Sequence, residues 1–118
     1  MRRLAPRLLS LLAISLFLSA TAGCSDPLPP DKQQYAGVWT SHIMYLQITP
    51  GGTVNYKRQK DVGNTELSGI PIQTFADDHF IVGIGPAKTR FVIDEPPHQT
   101  EGGSWKMTVD GVELTRKD

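Results

Sequence analysis

From Tyr35 onward, turn residues cut the chain into apolar pieces too short to make helices. Runs rich in Val, Ile, Thr, Tyr and Phe alternate with Gly, Pro, Asn and Asp, which is the signature of an all-β sandwich or barrel. The pattern predicts eight short strands, at 37–41, 43–49, 53–60, 70–75, 79–84, 89–94, 104–110 and 112–116, with a further short segment at 66–68. Eight strands packed into 35–118 leave only tight, antiparallel connections. Two turns carry their own chemistry. Pro50-Gly51-Gly52 supplies a preset φ followed by residues that tolerate positive φ. Asp110-Gly111, between Met107-Thr108-Val109 and Val112-Glu113-Leu114, is a strong hairpin signal, because a type I′ turn needs positive φ at both central residues.

The alternation nominates a core. Trp105, Met107 and Val109 share one strand face, as do Val112 and Leu114, Phe80, Val82 and Ile84, and Phe91 and Ile93. Met44, Leu46 and Ile48 oppose Ile43 and Tyr45, which predicts a strand buried on both sides or lining a closed barrel. At about 25 cal/mol per Å² these side chains must nearly cancel the ordering entropy of the domain.

The first residues do not belong to that domain. Arg2, Arg3 and Arg7 form a positive segment, Leu8–Leu18 is apolar apart from two serines, and small residues Ser19 to Gly23 follow. This is the plan of a secretory signal. The chain's single cysteine stands immediately after it, at position 24. Thr21-Ala22-Gly23-Cys24 resembles the lipobox of bacterial lipoproteins, with Thr21 where leucine is usual. The resemblance implies cleavage before Cys24 and lipidation of its thiol, palmitate among the acyl chains. Two or three chains give essentially permanent attachment, since each buried CH₂ contributes roughly 0.8 kcal/mol. Ser25 follows the cysteine, and in the enteric sorting pattern a residue other than aspartate there implies the outer membrane, facing the periplasm.

Cleavage leaves nine basic against twelve acidic residues, a net charge of −3. That balance carries no footprint for nucleic acid and no polybasic patch for anionic lipid. With the thiol consumed, no disulfide can staple the domain. Residues 24–34, with three prolines, read as an extended tether of about 30 Å at ~3.1 Å per residue, holding the domain at 35–118 clear of the headgroups.

Tyr35-Ala36-Gly37-Val38-Trp39 is similar to the Gly-x-Trp that opens the first strand of lipocalins and lipocalin-like domains. The resemblance implies a small antiparallel barrel whose Trp39 closes the base against an arginine near the last strand, for which Arg116 is suitably placed. A guanidinium over an indole face is a favourable pair. The chain is much shorter than a lipocalin with a roomy calyx.

Catalytic chemistry is not expected. The serines at 25, 41, 68 and 104 lack a Gly-x-Ser-x-Gly setting, and no free thiol remains. Ser41-His42 and Asp77-Asp78-His79 place polar groups side by side, yet neighbours on a strand point to opposite faces. His42, Met44, His79, His98 and Met107 lack a recognisable ligand spacing, so no metal or cofactor is expected. The longest loop, over 95–103, starts rigidly with Pro96, Pro97 and His98 and ends in glycines, which marks it as a candidate partner loop. The expected function is that of an envelope lipoprotein whose non-catalytic domain binds a protein partner or a small apolar ligand. A periplasmic enzyme inhibitor or chaperone-like factor, and a structural envelope lipoprotein, are the alternatives.

Overall fold

The computed structural model describes residues 25–117, so the signal segment and Cys24 lie outside the described residues. Eight strands, β1 (Gly37–Thr40), β2 (Met44–Ile48), β3 (Thr53–Gln59), β4 (Asn64–Phe75), β5 (His79–Ile84), β6 (Ala87–Gln99), β7 (Trp105–Val109) and β8 (Val112–Lys117), follow one another in space as they do in sequence. Each is antiparallel to the next, and β8 pairs with β1 to close the barrel. This is the all-β, lipocalin-like barrel expected from the alternation and from Gly37-Val38-Trp39, and closure leaves no edge strand at the sheet's ends.

The inward faces explain the alternation. Trp39, Leu46, Ile48, Val54, Phe80, Val82, Phe91, Met107, Val109 and Leu114 are essentially sealed from solvent. Phe80 and Phe91 stack with ring centroids 4.8 Å apart, and Tyr56 meets Phe91 edge-on at 4.9 Å. Such offset and edge contacts pack large rings into the interior of a narrow barrel. Strand β2 faces the core on one side only. Met44, Leu46 and Ile48 are buried, whereas Ile43 is 42% and Tyr45 37% exposed. Of the two expectations for this strand, the lining of a closed barrel holds and burial on both sides does not. Ile84, whose parity matches Phe80 and Val82, stands at the end of β5 and is likewise exposed.

Two strands are longer than their apolar patterns. The segment at 66–68 is not separate but the first half of β4, which changes pairing as it runs. Its early residues pair with β3, and only Ile72–Phe75 pairs with β5, with register breaks at Val54/Tyr56 and Ile72/Thr74. The loop expected over 95–103 is mostly strand. Strand β6 continues through Pro96, Pro97 and His98 to Gln99, and only a turn at 100–104 remains. Proline cannot donate to a ladder and is confined to strand edges and bulges. Here the β6–β7 register shifts between Glu95 and His98, so the proline pair sits where the ladder is already broken.

The extended tether is also corrected. Pro30–Tyr35 forms a 3-10 helix, with proline early in it where a missing N–H costs nothing. Leu28 is 4% and Lys32 7% exposed, so the segment packs on the barrel. The Leu28 N–H donates to the Pro50 carbonyl at 3.0 Å, and Ser25 Oγ donates to the Gly51 carbonyl at 2.9 Å. Gly52, at φ +88°, lies so close under Asp26 that a Cβ would overlap its carbonyl oxygen. A leucine among prolines reads as linker, but here it fills the open end of the barrel.

Candidate functional site

The base of the barrel is built around Trp39. Its indole N–H donates to the Tyr35 carbonyl at 2.9 Å, which satisfies the one polar atom of a side chain with no exposure. Trp39 pairs with Arg116 across β1 and β8, so both side chains lie on the inner face. The Arg116 guanidinium carbon is 5.8 Å from the Trp39 ring centroid and 5.0 Å from that of Trp105. The Tyr35 ring meets Phe75 at 4.8 Å. Lys32 Nζ lies 2.6 Å from Asp77 Oδ1 and 3.4 Å from Asp31 Oδ2, bolting the 3-10 helix to the β4–β5 turn. The hydrogen bond to Asp77 holds the Lys32 ammonium above the usual lysine range, against the opposing pull of its burial. Desolvation likewise raises the phenols of Tyr35 and Tyr56. This end is a plug, and its chemistry is structural.

The polar groups singled out in the sequence do not converge. Ser41 Oγ accepts the N–H groups of Ile43 and Met44 at 3.2 and 3.1 Å, so it shapes the β1–β2 turn. His79 Nδ1 does reach its neighbour Asp78 at 2.7 Å, because Asp78 lies in the turn rather than on the strand. That contact lowers the Asp78 carboxyl below the usual carboxylate range. His98 contacts the Pro96 carbonyl at 2.9 Å and Glu95 at 3.3 Å on the exposed side of β6. Met44 and Met107 are core. Among the described residues no three His, Cys, Asp or Glu side chains gather as a metal site.

A more organised surface lies on the outside of β2 and β3. Tyr45 Oη donates to Gln47 Oε1 at 3.3 Å, and the same oxygen accepts from Asn55 Nδ2 at 3.0 Å. Asn55 Oδ1 accepts the Gly69 N–H at 2.7 Å, across the bulge where β4 slips against β3. A register break thus orders a polar row that holds the Tyr45 ring in place. Two shallow clefts of about 300 and 230 Å³ flank it and share Tyr45 and Lys57. Leu67 lines the first and Ile43 the second. A fixed, half-exposed tyrosine between apolar clefts has the make-up of an interface anchor.

The fold defines a class, the small filled lipocalin-like barrel. Comparison with family models, with curated proteins and with solved structures finds no match.

Proposed function

We propose that the chain is a lipid-anchored protein of the bacterial envelope, attached through Cys24, whose barrel is a non-catalytic recognition domain for another envelope protein. The observation that carries the choice of partner is the filled interior. Trp39, Phe80 and Phe91 have no exposure, so large side chains occupy the interior where a calyx would hold a small apolar ligand. Recognition then belongs to the outer surface, and the ordered face around Tyr45 is the best-prepared part of it. The same face suits a partner that is an enzyme to be inhibited or a fixed member of an envelope assembly. Ser25 after the lipidated cysteine favours the periplasmic side of the outer membrane as its place of work.

A photo-crosslinking side chain at position 45, in the full chain within its native envelope, tests the partner. The expected result is one discrete protein adduct at position 45 and none at position 113, on exposed Glu113. Adducts to lipid alone, or equal adducts at both positions, would reject the Tyr45 face.

A further inference from the structure

The docked N-terminal segment fixes where any anchor on Cys24 must emerge. Ser25 is held by its bond to the Gly51 carbonyl, Asp26 lies over Gly52, and Leu28 is bonded to Pro50 and buried. The described chain is therefore held to the barrel wall from its first residue, Ser25. The wall beside it is notched. Strand β4 pairs with β5 only from Ile72 to Phe75, and the β5–β6 turn ends against the middle of β4, where Gln73 Nε2 donates to the Gly85 carbonyl at 3.1 Å.

Two clefts meet at this notch. One, of about 400 Å³, runs from Ser25 and Gln73 to Ile84. The other, of about 310 Å³, runs from Ile84 to Leu67, Ile70 and Ala87. Ile84 is shared by both and is 65% exposed, next to an exposed Ala87. The cleft beside Ser25 is lined mainly by polar surface, and the apolar surface begins at Ile84 on its far side.

We propose that the barrel sits directly on the bilayer, notch side down, with Ile84 and Ala87 at the apolar boundary of the membrane that receives the Cys24 lipid. This rests on the lipid-anchored reading above. The occupant follows from where the chain leads. A single-residue link keeps the notch at a very high effective concentration against the membrane, so even a weak apolar contact is populated. Asp26 and Lys88, one charge of each sign, flank the two clefts, so the seating is apolar rather than electrostatic. Lys88 lines the second cleft, and a lysine stem covers apolar surface while its ammonium reaches the headgroups. The seated cleft reaches Leu67, which also lines the first Tyr45 cleft, so the part of the Tyr45 face left to a partner is the second cleft, around Ile43, which shares no residue with the seated surface.

The test uses the full chain, lipidated and reconstituted in vesicles of phosphatidylethanolamine and phosphatidylglycerol. Lipidation consumes the native thiol, so a cysteine introduced as Ile84→Cys or Val62→Cys is the only one open to an environment-sensitive dye. Val62 is 92% exposed in the β3–β4 turn, at the far end of β3 from Gly52. The dye at position 84 is expected to be several-fold brighter than at position 62, to be quenched by nitroxide on the acyl chains, and to be unaffected by high salt. A flexible spacer inserted between Cys24 and Ser25 should dim it. Equal, aqueous emission at both positions, with the acyl mass present on Cys24, overturns the seating alone. Absence of acyl mass on Cys24 overturns the anchor and the seating with it.

Discussion

Trp39 and Arg116 oppose each other across the strand pair that closes the barrel, and the guanidinium lies 5.8 Å from one indole centroid and 5.0 Å from a second, Trp105. The first and last strands are thereby joined by side chains as well as by the ladder. Gly37 belongs to the same arrangement. At φ +140° it adopts a conformation costly for other residues, and a Cβ there would stand 3.0 Å from Arg116 Cδ. In Gly-x-Trp, the glycine makes room for the arginine that covers the tryptophan.

Trp39→Ala should cost about 3–5 kcal/mol, as for other large core aromatics. Arg116→Ala should cost roughly 1–2 kcal/mol, from the lost cation–π contact and stem packing. Their coupling in a double-mutant cycle, measured by urea denaturation, should exceed ~0.5 kcal/mol. Additive losses would mean that the two side chains do not support each other.

Gly37→Ala should destabilise by about 1–3 kcal/mol, through backbone strain and displacement of the arginine. If strain alone acts, the loss will be the same in an Arg116→Ala background. If displacement contributes, the loss will shrink there.

Stability should fall at alkaline pH. Lys32, Tyr35 and Tyr56 all have folded-state pKa values raised above the ordinary 10.5, 10.0 and 10.0. Each group holds its proton more tightly when folded, so its contribution is complete below the unfolded value and is lost as pH rises through the folded one. Melting temperature should therefore be flat from neutrality to about pH 9 and drop beyond pH 10. Lys32→Met should make that drop shallower. An unchanged slope in the variant would remove Lys32 from the account.

Much of the barrel was legible because burial alternates along its core strands. Leu46, Val82 and Met107 each follow the two-residue period that a one-sided strand imposes. Asp110 and Gly111 take the positive φ values, 50° and 77°, that their pairing implied. What was not legible depends on register. Nothing local marks Pro96 and Pro97 as a bulge within β6, because the break is set by the pairing with β7. Apolar residues on both parities left two readings of β2 open, burial on both sides or the lining of a closed barrel, and only the pairing of β8 with β1 decides for the second. Leu28 was hidden by the prolines around it. Its burial depends on an open barrel end that no sequence window contains.

Cys24→Ala should abolish both cleavage before position 24 and acylation. The motive is the single cysteine following Thr21-Ala22-Gly23. Metabolic labelling with a fatty-acid analogue reads it directly. Label retained on the alanine variant would remove the lipid anchor from the account.

The N-terminal segment gives the last prediction, which reverses what a polar tether would imply. Were residues 25–33 a spacer, a fragment starting at Gln34 would be as stable as one starting at Ser25. Instead the shorter fragment loses Leu28, the Lys32–Asp77 bond and the cover over Phe75, whose ring lies 5.9 Å from Lys32 Nζ. Removal of a buried leucine side chain alone costs about 2–5 kcal/mol. The exposed salt-bridge partner adds little, because Asp77 is largely solvated and such pairs contribute about 0–1 kcal/mol. The Gln34–Asp118 fragment should therefore unfold at lower urea than Ser25–Asp118, with a stability deficit of at least ~2 kcal/mol by linear extrapolation. Its near-ultraviolet spectrum should report loosened packing of Tyr35 and Phe75. Equal midpoints for the two fragments would return the segment to the status of a tether and withdraw the seating of the barrel on the membrane.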